Sequence, residues 1–485
     1  MARKSRSCTF GCSSRCFRAW IKLAPEITPR IGAPRTSLAP ATKEEKKDKP
    51  RIHKKRTTIR VGLPYCQRTP STSMMSIRHC PAELLELIVD SVGCQGTLRS
   101  LRLIDSMFCT LATSRAFRSA YVTNQPDSAS GLKSLMECDD LAQHVQAIVF
   151  RWTDVPDAVR ANGVLQRAMQ VDLVSVFAQL HRFPALSAVE FNFDPRLFTY
   201  RRNTAGQIEN EDEPAEHLLL QFVVIQSLVQ NTDLPHIRTL TLRNLIPFPF
   251  AWYEEAGFAR LLENVERLSV SAHGMNNLHA PGQNTEQLWE WLWQEIVPIR
   301  LLVPPQRQLT SLSITSDQPV ERVDLSGLFY PALQHLALGG VTFSFARRIE
   351  DFVVRHRRTL MSLTLDSCPM HIAGGLGPPD RTWAEVCDRF NEELQALIEL
   401  EVTLRTKWGL DNMERSSQMR LTYEMSSTGF GYDRGWDCEE FEAADRPALD
   451  RLVAAVQSRK RRSGARPSAN AVPRQETRTF VVPIL

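Results

Sequence analysis

The segment QLTSLSITSDQPVERVDLSGLFYPALQHLAL, residues 308–338, contains the same short pattern at both of its ends. In QLTSLSI (308–314) and in ALQHLAL (332–338), an apolar residue is followed by two variable residues, a second apolar residue, one variable residue and a third apolar residue. Two apolar residues separated by one other residue are typical of a strand that buries one face. The segment therefore predicts two short strands with a connection between them.

The pattern occurs six more times along the chain. The further copies are HVQAIVF (144–150), ALSAVEF (185–191), HIRTLTL (236–242), NVERLSV (264–270), TLMSLTL (359–365) and ALIELEV (396–402). The second apolar residue of the eight copies stands at 148, 189, 240, 268, 312, 336, 363 and 400, so the steps are 41, 51, 28, 44, 24, 27 and 37 residues. The shorter steps match leucine-rich repeats, whose units have roughly 20–29 residues, and the longer steps leave room for a helix and an inserted loop. The spacing predicts an irregular leucine-rich-repeat-like α/β solenoid at 140–460. The alternative is an α/β domain with a mostly parallel sheet.

Helices are predicted between these strands. VLQRAMQVDLVSVFAQLHRF (164–183) has an apolar stripe at helical spacing, and LLLQFVVIQSLV (218–229) predicts a core helix. NTEQLWEWLWQEIV (284–297) begins with Asn284 and has Gln287 three residues later, the spacing of a capping box. FARRIEDFVVRHRRTL (345–360) is amphipathic, and a last helix is predicted at 447–458. This alternation of strands and helices supports the α/β class.

The stretch from Cys80 to Arg118 predicts a separate helical module, with boundaries at 76–120. CPAELLELIVDSV (80–92) places Leu84, Leu85 and Ile88 at helical spacing, and Pro81 falls in the first turn, where its missing N–H costs nothing. The following TLRSLRLIDSMFCTLATSRAF (97–117) carries a second apolar set, which consists of Leu98, Leu101, Leu103, Phe108 and Leu111. A unit this short cannot bury so much apolar surface internally. We therefore expect it to contact a partner, either elsewhere in the chain or on another protein.

This stretch resembles the F-box, which combines a Pro-x-Glu-Leu-Leu opening with a second half containing Leu-x-x-Leu-Arg-Leu, Phe and Leu. Two features depart from the family: Cys80 replaces the usual Leu before the proline, and Asp105 to Phe108 replace its Cys-Lys-x-Trp. The resemblance implies docking on a Skp-type adaptor and, through it, membership of a cullin-based ubiquitin ligase. The residues implied for adaptor binding are Pro81, Leu84, Leu85, Ile88, Leu98, Leu101 and Phe108.

Charge is distributed unevenly along the 485 residues. Residues 1–70 contain 18 Lys or Arg and 4 Asp or Glu, a charge of +14, so the remainder carries −9 of the total of +5. We therefore expect a disordered basic tail at 1–73, a second disordered tail at 461–485, and no general nucleic-acid-binding surface on the folded part. KKDKPRIHKKR (46–56) and RKRR (459–462) are candidate nuclear localisation signals. No apolar run reaches the roughly 20 residues of a membrane span, so a cytoplasmic or nuclear location is expected.

Motifs that carry chemistry are missing from the sequence. It contains no Gly-x-Ser-x-Gly, no His-Glu-x-x-His, no Gly-x-x-x-x-Gly-Lys, no dinucleotide-binding glycine pattern and no Cys-x-x-Cys. The eleven cysteines, an odd number, favour a reducing compartment. We therefore predict no catalytic residue, no metal and no cofactor, although an unrecognised hydrolase or transferase stays open as a third interpretation.

The function predicted from these features is that of a non-catalytic substrate-recognition subunit of a cullin-based ubiquitin ligase. The helical module would bind the adaptor, and the outward positions of the strands would bind a target protein. The outward positions chosen for target binding are Arg243, Arg267, His335 and Asp366. The competing hypothesis is an interaction scaffold whose helical module only caps the end of the solenoid.

Overall fold

The computed structural model describes residues 80–153, 163–193, 213–234, 236–274, 285–320, 323–344, 347–372, 381–405, 415–416, 422–425 and 439–464. Glu86–Leu485 group into one compact unit, and of the preceding unit, Met1–Leu85, only residues 80–85 are described. The predicted basic tail at 1–73, the first nuclear-signal candidate and residues 465–485 lie outside the described residues.

The described residues form a mixed α/β fold around one large sheet. Nine of its strands are parallel and lie side by side in the order in which they occur in the chain, and a short antiparallel strand follows the ninth. The parallel strands are β1 Ser119–Thr123, β2 Ala147–Arg151, β3 Ala188–Asn192, β4 Thr239–Leu245, β5 Arg267–Ala272, β6 Ser311–Val320, β7 His335–Val341, β8 Ser362–Asp366 and β10 Glu399–Arg405. The antiparallel strand is β11 Arg415–Ser416, and β9 Pro369–Ile372 pairs in parallel with β12 Thr422–Met425 in a second, two-stranded sheet.

All eight strands predicted from the repeated pattern are present. The pattern also aligns the strands, because the second apolar residue of each copy pairs with that of the next strand. This first inner row consists of Ala120, Ile148, Val189, Leu240, Leu268, Leu312, Leu336, Leu363 and Leu400. A second inner row, two residues further on, consists of Val122, Phe150, Phe191, Leu242, Val270, Ile314, Leu338, Leu365 and Val402. Apart from Leu400, every member of both rows is buried, so the two rows form the floor of the core.

Twelve α-helices occur in the described part of the chain. They are α1 Ala82–Ser91, α2 Gln95–Leu101, α3 Ser106–Ala116, α4 Pro126–Met136, α5 Asp139–Ala142, α6 Gly163–Phe177, α7 Glu213–Gln230, α8 Ala256–Glu263, α9 Thr285–Trp291, α10 Ile349–Arg355, α11 Trp383–Glu393 and α12 Glu439–Arg462. Every segment predicted to be helical contains a helix, but several helices differ in extent from the prediction. α6 ends at Phe177 and not at residue 183, α7 begins at Glu213 and not at residue 218, and α10 covers Ile349–Arg355 of the predicted 345–360. The helix predicted at 284–297 continues from Leu292 to Leu301 as a π-helix that contains Pro298, which has no N–H to donate. The last helix begins earlier than predicted and ends at Arg462, so it includes the RKRR motif.

Near the ends of three strands, β4, β7 and β8, a residue with left-handed backbone conformation stands at an equivalent position. Asn244, Gly340 and Ser367 have φ values of 58°, 68° and 55°, and each stands four residues after its member of the first inner row. At Gly340 an added Cβ would lie 2.8 Å from the carbonyl oxygen of Ser316, so the position requires glycine for both conformation and space. The same backbone conformation thus recurs at an equivalent position in three of the nine parallel strands.

A buried hydrogen-bond network joins α11, β12 and α12. The hydroxyl of Tyr423 donates to Asp445 Oδ2 (2.6 Å) and accepts from the Trp383 N–H (3.1 Å), while the Ala384 N–H donates to Asp445 Oδ1 (2.7 Å). Burial raises the pKa of Asp445 above its ordinary value, while the Tyr423 and Ala384 hydrogen bonds oppose the shift. The network holds α12 against the first turn of α11, where Thr382 also forms a capping box.

Candidate interaction surfaces

The first candidate surface is the helical module formed by α1, α2 and α3. Polar contacts fix its helices: Asp105 caps α3 by accepting hydrogen bonds from the Met107 and Phe108 N–H groups (2.9 and 3.0 Å). Gln95, the first residue of α2, donates through Nε2 to the carbonyl oxygens of Ala116 (2.8 Å) and Ser119 (2.7 Å). Ser119 is the first residue of β1, so α2 is fastened directly to the edge strand of the sheet.

The seven residues predicted to bind an adaptor fall into three groups. Pro81, Leu84 and Ile88 are exposed, and Leu101 is half-buried. The remaining three, Leu85, Leu98 and Phe108, are only 2%, 7% and 2% exposed. These three belong to the core of the protein in its present conformation, while the others offer surface to a partner. Adaptor binding by any of the seven stays a prediction.

Exposed apolar side chains are concentrated in this module. Of the twelve large apolar side chains that are exposed in the described part of the chain, six lie between residues 84 and 107. They are Leu84, Leu87, Ile88, Leu103, Ile104 and Met107. Isolated exposed apolar residues are normal on any protein surface, but a concentration of them is typical of an interaction site.

Four of these six residues were not among the predicted binding residues. Leu103 belongs to the second apolar set of the module, and it is 88% exposed, because α2 ends at Leu101 and the chain turns there. Leu87, Ile104 and Met107 were not singled out at all. Helical phase would have identified Leu87, which stands three residues after Leu84.

The second candidate surface is the outward face of the large sheet. Arg243, Arg267 and His335 are exposed there, and Arg267 and His335 each pair with Ser311 in one outward row. Asp366 differs from the prediction in its surroundings: it is only 6% exposed, and its Oδ1 accepts a hydrogen bond from the Thr403 hydroxyl (3.0 Å). Asp366 is therefore a structural hydrogen-bond acceptor between β8 and β10, and it offers little surface to a target.

Charges on this face are partly paired. Arg243 Nε lies 3.6 Å from Glu190 Oε1 on β3. Exposed ion pairs of this kind contribute little to stability, so these charges remain able to exchange partners. The outward face therefore presents partly exposed charges of both signs.

Reactive groups are sparse in the described part of the chain. His273 Nδ1 lies 2.5 Å from Asp317 Oδ2, and the Gly274 N–H donates to Asp317 Oδ1 (2.7 Å), which is the arrangement closest to a catalytic pair. The Cys387 thiol, whose pKa burial raises to about 12, is protonated at neutral pH. No group of three or more His, Cys, Asp or Glu side chains among the described residues is placed to hold a metal ion.

Two findings concern the membrane and the relation of this chain to known proteins. Within the described ranges, no helix combines the length and the apolar character that crossing a membrane requires. No protein-family model matches the chain, and no curated protein matches its sequence.

Proposed function

We propose that this protein is a non-catalytic substrate-recognition subunit of a cullin-based ubiquitin ligase. The helical module would dock on a Skp-type adaptor, and the sheet domain would hold a target protein. Such a subunit performs no chemistry of its own. It raises the effective concentration of target lysines near the ubiquitin-conjugating enzyme, which is a proximity effect.

The observation that carries this proposal is the concentration of exposed apolar side chains at residues 84–107. Leu103 and Ile104, at 88% and 59% exposed, lie in the turn between α2 and α3, where no element of the described chain covers them. Leu103 is the last residue of the Leu-x-x-Leu-Arg-Leu part of the F-box-like sequence and Ile104 follows it, so the resemblance and the exposure point to the same segment.

The sheet supports the second half of the proposal, a leucine-rich-repeat-like solenoid. In doubly wound α/β sheets the strand order reverses at a switch point. Here nine parallel strands follow chain order without reversal, and the inner rows stay in register across all of them. Stacking of this kind is what repeat proteins use to build one continuous core and one continuous binding face.

The alternative is an interaction scaffold whose helical module caps the solenoid. One observation favours it: the Gln95 side chain bonds to the first residue of β1, and Leu98 and Phe108 are buried. A cap must cover the apolar end of the stack in this way. The two functions are compatible in geometry and differ in whether the exposed apolar residues have a partner.

Co-purification with a Skp-type adaptor separates the two functions. We expect the full chain to bind, and a Leu103→Lys, Ile104→Lys double variant to lose binding by about tenfold or more, as removal of a central apolar anchor does. Both side chains are exposed, so the double variant keeps its fold, which its melting temperature verifies.

The matched control is Val171→Lys in α6, since Val171 is 58% exposed and lies outside the module. It should bind as the natural chain does. If the natural chain does not bind the adaptor at all, the docking function is wrong and the scaffold function takes its place.

A further inference from the structure

A groove runs along the ends at which three neighbouring strands begin. It has a volume of about 530 Å³ and lies over the residues that precede β7, β8 and β10. Its floor consists of Ala332, Met361, Ala396 and Ile398, and Met361 is 39% exposed. Backbone hydrogen bonds join the three strands under the groove. The Gln334 carbonyl accepts from the Met361 N–H (2.8 Å), and the Met361 carbonyl accepts from the Ile398 N–H (2.9 Å).

The rim of the groove is basic. Arg358 is exposed on one side, and within the described ranges it has neither an ion pair nor a hydrogen bond from its side chain. Arg459 also lines the groove, and its guanidinium hydrogen-bonds, among the described residues, to the carbonyl and amide oxygens Asn391 O, Asn391 Oδ1 and Leu394 O. Burial and the nearby Arg462 lower the pKa of Arg459, so its charge is one that a carboxylate would stabilise.

The dimensions suit an extended peptide. Neighbouring strands lie about 4.8 Å apart, so the residues before β7, β8 and β10 span about 10 Å across the groove. An extended chain advances about 6.6 Å for every two residues, which places two side chains of one face over the floor. An aliphatic side chain fits the apolar floor, and a neighbouring carboxylate would reach the arginines at the rim.

We infer that this groove binds an extended segment of a target protein in which aliphatic and acidic residues alternate. The inference rests on the proposed role in target recognition and names the class of segment recognised. It places recognition at the beginning of the strands, beside the outward face that contains His335.

The chain's own C-terminal segment is the competing occupant. It follows Ser463, which lines the groove, and it includes the apolar run Phe480 to Leu485. Residues 465–485 contain three Arg and one Glu, a charge of +2, so they would meet the basic rim with repulsion. Charge complementarity therefore favours an acidic partner over this segment.

Fluorescence anisotropy with labelled peptides tests the inference on the full chain. The probe is a peptide of four Asp-Leu pairs, and the comparison peptides have four Lys-Leu or four Asp-Ser pairs. We expect the Asp-Leu peptide to bind about tenfold more tightly than either, with an affinity that falls as salt is added. The variant Arg358→Glu should weaken binding by about tenfold or more, whereas the control Arg182→Glu, an exposed arginine away from the groove, should not.

Other results would overturn the inference. Equal binding of the three peptides, or equal loss in the Arg358→Glu and Arg182→Glu variants, would show that the groove is not the site. Tighter peptide binding in a Val481→Ser, Ile484→Ser variant, which removes two apolar side chains without adding charge, would make the C-terminal segment the occupant. Adaptor co-purification of the Arg358→Glu variant keeps the two proposals separate, because it should be unchanged whether or not the peptide binds.

Discussion

Replacing Arg459 by glutamine tests what the RKRR motif does. The Arg459 guanidinium donates three hydrogen bonds to the end of α11, to Asn391 O (2.7 Å), Asn391 Oδ1 (3.1 Å) and Leu394 O (3.2 Å). The last carbonyl groups of a helix have no partner within the helix, and a cation near them is favourable. Arg459 therefore connects the last turn of α12 to the last turn of α11. The neighbouring Arg461 is exposed, and its side chain has no partner among the described residues.

The magnitude follows from the number of bonds lost. A hydrogen bond makes a net contribution to stability of roughly 0.5–1.5 kcal/mol, and a bond to a charged group contributes more. Because the Arg459 guanidinium is partly exposed, we use the values for uncharged groups. At about 0.7–1 kcal/mol for each bond, the three bonds together contribute about 2–3 kcal/mol to the free energy of opening the end of α12. Since about 1.4 kcal/mol is a factor of ten, amide hydrogens in the last turns of α12 should exchange about 30- to 150-fold faster.

Hydrogen exchange measured by mass spectrometry on peptides covering 451–462 is the assay, with Arg461→Gln as the matched control from the same motif. We expect acceleration in the Arg459→Gln variant and a change of less than about threefold in Arg461→Gln, since an exposed side chain without partners contributes little. Equal acceleration in both variants, or none in either, would refute the idea that Arg459 fastens the two helices. If RKRR acts as a nuclear signal, both variants should reduce nuclear accumulation alike, and fluorescence imaging distinguishes that result from a purely structural role.

Two more predictions concern the core. Leu312 lies in the middle of the first inner row and is 1% exposed. Leu312→Ala should lower the free energy of unfolding by about 2–5 kcal/mol in urea titrations, whereas Ser313→Ala, on the outward face, should change it by less than about 0.5 kcal/mol. A similar effect of the two substitutions would contradict the assigned faces of β6. His356 is 1% exposed, its Nε2 accepts from the Tyr330 N–H (2.9 Å), and burial, with Arg355 nearby, lowers its pKa from 6.5. A lowered histidine pKa means that the unfolded chain binds the extra proton first, so the stability from His356 is complete above about pH 6.5 and is lost as the pH falls through the lower folded value. His356→Gln should therefore be less stable than the natural chain at pH 7 and show a shallower loss of stability between pH 7 and pH 5, and identical pH slopes would show that His356 does not titrate on unfolding.

The strands could be predicted because each buries one face against helices and exposes the other. Under that condition alternation in the sequence reports burial directly, and the second apolar residue of every copy fell into one row. The first strand, β1, was missed although FRSAYV has the same spacing, because its row position is occupied by the small residue Ala120. The order of the strands did not follow from the pattern, since a parallel sheet of another order produces the same alternation.

The candidate surfaces were predictable only in part. The helical module has more apolar residues than its short helices can bury, so sequence spacing could not tell which of them remain outside. Leu103 and Phe108 illustrate the difficulty: both belong to one apolar set, but the end of α2 exposes the first and the Asp105 cap turns the second inward. The groove at the beginning of the strands left no trace in the sequence, because its floor combines residues from three distant copies of the pattern.

Because the first residues of the strands stay in register, residues far apart in the sequence lie close together in space. Arg267 and Glu399 are 399 − 267 = 132 residues apart, yet they stand in one outward row, four strands from each other. At about 4.8 Å per strand they are only about 19 Å apart. The connections between strands can therefore gain or lose residues without moving either side chain. The distance between two outward side chains is set by the number of strands between them. Selection can therefore change the length of the connections while the spacing that the face presents to a partner stays the same.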